Sequence, residues 1–152
     1  MQKISDHKAL KGYVTMLVFD DDGNLTDGRE FRNLVVDMGQ DGAMSRISEV
    51  ATGVLPANYI RLGTDATAEG ATDSRLIGDI AEPKSAVYTR LGVGSWKLVA
   101  TWGTGEAVTG LTESGVFFGS EVGSILCRKT FSVINKQSAD TLEVTWGFTI
   151  AD

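Results

Sequence analysis

The chain has 152 residues, 42% of them hydrophobic and 22% charged, with a formal net charge of −6. At this length one domain is the default, burying roughly 70% of the unfolded surface. The acidic balance, with no cluster of Lys and Arg, argues against a nucleic-acid-binding domain, which carries a basic stripe, and eighteen glycines against two prolines suit a β-rich fold with many tight turns.

Residues 1–11 (MQKISDHKALK) are polar and read as an N-terminal arm, leaving 12–152 as the folded domain. The start lacks the apolar stretch of a signal peptide, and no segment approaches the ~18 apolar residues of a membrane span. The expected product is soluble and not exported through a cleaved leader. Tyr13–Phe19 is a strand by its β-branched and aromatic content. Asp20-Asp21-Asp22-Gly23-Asn24 follows as a turn, because Asp and Asn tolerate left-handed backbone angles and Gly adopts them freely. Leu25–Leu34 returns as a weaker antiparallel partner.

Between Val35 and Val50 the period changes. Met44, Ile47 and Val50 recur at three-residue steps, which predicts one short amphipathic helix with these residues on its buried face. Asp41 is placed to cap its start, and Gly53 lies just past its end. Asn58–Leu62 is a short strand, and the small, polar run Gly63–Asp73 reads as a surface loop. Ser74–Ala81 is undecided between a helical turn and an extended segment. Further strands are expected at Ser85–Leu91, Ser95–Trp102, Ala107–Thr112, Gly115–Phe118, Ser124–Ile134 and Thr141–Ile150. In the last of these, Leu142, Val144, Trp146, Phe148 and Ile150 alternate with Glu143, Thr145, Gly147 and Thr149, so five large apolar groups share one face. That strand is expected to be a central core element. Eight or nine strands with regular turns and one inserted helix predict a mainly β chain: a single-domain antiparallel β-sandwich or barrel, jelly-roll-like in type.

The residue types of common chemistry are sparse. The single histidine, His7, lies in the arm, where it is expected to be exposed rather than held as a catalytic base. The single cysteine, Cys127, excludes an internal disulfide, is compatible with a reducing compartment, and reads as a small strand residue rather than a reactive thiol. Zinc needs several Cys or His ligands, which the chain lacks. Asp20–Asp22 with Asn24 is the best calcium candidate, but the glycine position and the missing closing Glu depart from an EF-hand loop. A strand-to-strand turn explains the same residues. Gly92-Val93-Gly94 and Gly103-Thr104-Gly105 lack the lysine and following helix of a phosphate loop and read as hairpin turns. Glu113 and Glu121 form a possible acid–base pair, with surface placement the plainer expectation. Trp96, Trp102 and Trp146 sit inside strand patterns and are expected in the core; exposed rings would instead suit a sugar-binding platform. No catalytic, cofactor or metal site is predicted.

An ordered set of segments resembles a known group of proteins. It comprises VTMLVFDDDGN (Val14–Asn24), NLVVDMG (Asn33–Gly39), YIRLGT (Tyr59–Thr64) with Thr72-Asp73 beyond it, LTESGVF (Leu111–Phe117), CRKTF (Cys127–Phe131) and DTLEVTW (Asp140–Trp146). Together these resemble small β-rich virion structural proteins of tailed bacteriophages, across nearly the whole chain. The chain departs from the pattern at Glu113-Ser114-Gly115-Val116, where Glu-Ala-Gly-Leu or Glu-Ala-Gly-Ile is expected. The resemblance implies a non-enzymatic virion protein assembled in the host cytoplasm, first of all a capsid decoration or cement protein touching the major capsid protein. A tail, collar or baseplate component is the nearer alternative, and a carbohydrate- or receptor-binding module of a tail tip the further one. A homo-oligomer, with a cyclic trimer as the first guess, follows by analogy alone, with no nucleic-acid or membrane partner and no cofactor.

Overall fold

The computed structural model describes residues 9–48, 55–80, 82–106, 108–120 and 123–151. In chain order the elements are β1 (Ala9–Phe19), β2 (Leu25–Arg32), β3 (Leu34–Val35), α1 (Asp37–Ser48), β4 (Ala57–Gly63), β5 (Lys84–Ser85), β6 (Val87–Gly92), β7 (Ser95–Trp102), β8 (Val108–Phe118), β9 (Ile125–Lys136) and β10 (Thr141–Ala151). They form two five-stranded sheets, ordered β2-β1-β10-β7-β6 and β3-β9-β8-β4-β5. Every pairing is antiparallel. The mainly β sandwich expected from the turn spacing is the fold observed.

The alternation of β10 works as anticipated. It lies in the middle of its sheet, with Val144 opposite Met16 on β1 and Ala100 on β7, and Trp146 opposite Val14 and Leu98. Leu142, Val144, Trp146 and Phe148 are all fully buried. Removing a side chain such as Phe148 from water contributes about 1.5–3 kcal/mol. Trp96 stacks on Phe148 at 5.3 Å between ring centroids, continuing the apolar face to the next strand. Ile150, at the end of the pattern, is about half exposed.

Two segments that read as single strands change sheets. The expected Leu25–Leu34 strand divides at Asn33, so that β2 borders one sheet and β3 the other. Ser85–Leu91 divides in the same way at Ala86, between β5 and β6. Strands that switch sheets make corners, and here the two corners close opposite sides of the sandwich. At the other extreme, Ala107–Thr112 and Gly115–Phe118 are one long strand, β8; Ala107 lies outside the described residues. Ala9, Leu10 and Lys11, assigned to the arm, belong to β1 and pair with β10, and the rest of the arm lies outside the described residues.

The helix differs most from expectation. It starts at Asp37, whose carboxylate suits the positive end of the helix dipole. Asp41 is therefore inside the helix rather than at its cap. Met44 and Ile47, expected on the buried face, are 62% and 82% exposed, and Val50 and Gly53 lie outside the described residues. The contact with the sheet is made instead by glycines. A Cβ on Gly39 would lie 2.0 Å from the Leu126 carbonyl oxygen, and one on Gly42 would lie 2.7 Å from the Phe118 ring. The backbone of α1 rests directly on β9, a closeness that only missing side chains permit.

Candidate functional site

The outer face of the second sheet is covered by α1 and by residues 64–80. Beneath that cover Val36, Leu76, Phe117 and Ile125 form a small core of their own, separate from the main one. Ser74–Ile80 is neither helix nor strand apart from a single bridge between Asp79 and Gly63, and Leu76 is its buried anchor. Because both its faces are covered, β8 is buried almost continuously from Leu111 to Phe117.

Three basic residues hold the 64–80 segment down. Arg128 on β9 and Glu113 on β8 are fully buried and meet at 2.8 Å. The Arg128 guanidinium also donates to an Asp73 carboxylate oxygen at 3.0 Å and to the Thr67 carbonyl at 3.0 Å. Burial works against its charge, yet the carboxylates of Glu113 and Asp73 outweigh that and raise its pKa above the ordinary arginine value. Glu113 receives the backbone N–H groups of Gly78 and Ile77 on its two oxygens. On β4, Arg61 donates to Asp79 at 2.6 Å and to the Ser120 carbonyl at 2.9 Å, with its guanidinium 5.8 Å from the Phe117 ring centre. Lys129 pairs with Glu69, which also accepts from the Thr130 hydroxyl and N–H. Burial pushes the Glu69 carboxyl up, but these donors pull it down further, to about 2.

Glu113 is thus a buried structural anchor, not the surface carboxylate the sequence suggested. Its proposed acid–base partner Glu121 lies outside the described residues, as does His7. Both Glu113 oxygens are occupied by donors, so what the arrangement does chemically is fasten an irregular segment to a sheet. Sequence reasoning missed Arg61 and Arg128 as members of this clamp. The signal was present in principle: a basic residue inside an apolar strand (Ile60-Arg61-Leu62, Leu126-Cys127-Arg128) is costly to bury unless an acid meets it. Lys136 is a third such case, its ammonium donating to the Glu106 and Gln137 carbonyls at 2.6 and 3.1 Å. Burial lowers its pKa.

The other singled-out residues find plain roles. Asp20 accepts from the Asn24 backbone at 2.8 Å and from its side-chain amide at 3.1 Å, and Gly23 takes the left-handed angle (φ 83°) that closes the turn. The hydrogen bonds from Asn24 hold the Asp20 carboxyl below the usual range. Among the described residues, no three His, Cys, Asp or Glu side chains converge as a metal site. Cys127 is buried against Asn33, and burial pushes its thiol up to about 12, far from a reactive thiolate. Trp102 and Trp146 are inside the core and present no ring to a sugar; Trp96 is half-buried on Phe148.

Among the described residues two exposed apolar surfaces stand out. One is a groove of about 1120 Å³ between α1 and the β1–β2 end of the first sheet, floored by Leu10, Phe31, Leu34 and Val35 and rimmed by Met44 and Ile47. The other is the β6 border of that sheet with its hairpin, where Val87, Tyr88, Leu91 and Val93 are 69%, 59%, 52% and 93% exposed. No family model matches the chain, and no curated protein and no solved structure matches it.

Proposed function

We propose that this chain is a non-enzymatic structural protein of a tailed-phage particle, a capsid decoration or cement protein that works by making contacts. The observation that carries the reading is the run of exposed apolar residues along β6 and its turn, set on a scaffold whose buried charges are used to fasten its own segments. Apolar side chains grouped at one sheet border are a surface for another protein, and binding that exists only in the assembled state stabilises that state by mass action. The ordered resemblance of segments from Val14–Asn24 to Asp140–Trp146 supplies the particle context. A tail or collar position uses the same contact chemistry. The sugar-binding alternative is the less favoured, since two of its three tryptophans lie in the core.

The test is localisation in particles. Cryo-EM of virions carrying a tagged copy of this chain is expected to place density at repeated positions on the head shell. Density on the tail would move the protein to that structure, and particles without the chain would end the proposal.

A further inference from the structure

The second sheet has a separate core on each of its faces. Toward the first sheet lies the main core, twenty buried residues among those described. On the other face, under residues 64–80, lie Val36, Leu76, Phe117 and Ile125. Leu76 is the single buried residue of 64–80, and Ile77 and Ile80 near it are about half exposed. The segment also closes on itself. The Thr64 N–H donates to the Gly78 carbonyl at 2.9 Å, Gly63 bridges Asp79, and the Ile80 N–H donates to the Leu62 carbonyl at 3.2 Å. Residues 64–78 are thus a loop with its ends tied together, an Ω-loop, which can lift without moving the strands at its base.

We infer that residues 64–78 open as one unit while the sandwich stays folded, a strap that covers and uncovers the outer face of β8 and β9. Its grip on the sheet is polar apart from Leu76. Arg128 donates to Asp73 and to the Thr67 carbonyl, Lys129 and Thr130 hold Glu69, and Glu113 accepts from the Ile77 and Gly78 amides. The Asp37 amide at the start of α1 donates to the Ala71 carbonyl at 2.8 Å. Polar groups that separate regain water, which offsets most of what their contact contributed. The apolar cost falls on Leu76 and the few groups it shields, a small part of what the main core buries. Opening therefore needs less free energy than global unfolding. It is also concerted, because the holding points share partners. Arg128 holds both Thr67 and Asp73, Asp73 in turn accepts the Gly70 N–H at 3.0 Å, and the Glu113 paired with Arg128 takes Ile77 and Gly78.

Opening uncovers Phe117 and Ile125 beside Arg128 and Lys129, with Glu113 as the carboxylate left among them. The departing loop takes Asp65, Glu69 and Asp73 with it against the single base Arg75. The strap thus occupies that face as an internal ligand, acidic and anchored by a leucine. This inference goes beyond the particle reading and stands or falls apart from it.

The experiment is native-state hydrogen exchange of the full chain, followed by NMR at low urea concentrations. The reporters are the amides of Ile77 and Gly78, which donate to Glu113, and that of Thr130, which donates from β9 to Glu69. In the wild type all three are expected to share one degree of protection, well below that of the β10 amides. Their urea dependence should also be smaller, because opening the strap exposes less surface than unfolding. Ile134→Val trims the main core and is expected to speed β10 exchange about 2- to 10-fold. It should leave the three reporters unchanged, since Ile134 stays packed when the strap is open. Leu76→Ala removes the anchor and is expected to speed the reporters by about 30-fold or more. Should that variant fail to fold, the wild type and Ile134→Val still decide the matter. Protection equal to that of β10, unequal values among the three reporters, or reporters that accelerate with β10 in Ile134→Val would each overturn the inference. So would reporters indifferent to Leu76→Ala.

Discussion

Arg128 on β9 and Glu113 on β8 form a 2.8 Å ion pair with neither side chain in contact with solvent. The pair lies under residues 64–80 and is the fulcrum of the clamp that holds them. A buried pair of this kind is a weak contributor as a pair, because desolvation offsets its attraction, but removing one partner is expensive.

Glu113→Ala is therefore expected to destabilise the protein by about 3–5 kcal/mol, since it leaves the buried Arg128 charge with Asp73 as its remaining carboxylate and the Gly78 and Ile77 amides without their acceptor. Arg128→Met is expected to cost a similar amount. The double variant should cost less than the sum, with a coupling of about 0.5–3 kcal/mol. Urea denaturation of the four proteins measures this; strict additivity would show that the two residues do not act together.

Acid should loosen the same cover through Glu69. Its folded-state carboxyl is held down to about 2 against an ordinary 4.5. A depressed carboxylate contributes stability that is fully present above the unfolded value and is lost as pH falls through the folded value. The loss attributable to Glu69 is thus expected between about pH 4.5 and pH 2. Glu69→Gln should lower stability at neutral pH and flatten the pH dependence in that window, as read from urea midpoints. A variant with the wild-type acid profile would assign the acid response to other groups.

The helix contact predicts an unequal response at two glycines three residues apart. Gly39→Ala puts a methyl 2.0 Å from the Leu126 carbonyl oxygen, a backbone atom that cannot rotate away and already accepts from Val36 N–H. Overpacking of this sort costs about 1–3 kcal/mol, more than the about 1 kcal/mol that Ala gains over Gly in a helix. Gly42→Ala meets only the Phe118 ring, which can turn aside, so the same substitution should be near neutral. Thermal melts of the two variants decide it, and equal losses would mean that α1 does not sit on β9 by its glycines.

Tryptophan emission gives a direct reading of the core. Trp102 and Trp146 are 2% and 0% exposed and Trp96 is partly covered by Phe148. A polar quencher is expected to reach little of the native emission, and Trp96→Phe should remove most of what it does reach. Strong quenching that persists in Trp96→Phe would contradict the burial of the other two.

The sheet architecture was legible in the chain because period-two alternation is a local pattern. Leu142 to Phe148 announces a half-buried strand with no knowledge of its neighbours, and Asp20–Asn24 announces its turn by residue type. The helix was legible in existence but not in orientation. Met44 and Ile47 mark an apolar stripe, yet the sheet is met by Gly39 and Gly42, because backbone closeness outweighed side-chain hydrophobicity at that contact. The clamp was hidden for another reason: Arg61, Asp73, Asp79, Glu113 and Arg128 are scattered over 68 positions of sequence, and a charge shows no sign of its partner until the strands bring the two together.

By itself the sequence determined the β class, the single layered domain, the central place of Thr141–Ala151 and the scarcity of reactive side chains. These follow from composition and from patterns only a few residues long. The tertiary structure alone decided where Asn33 and Ala86 carry a strand from one sheet to the other, and which charges are buried. Each of those depends on contacts between residues far apart in the chain, whose free energy is set by distance and desolvation in the folded state.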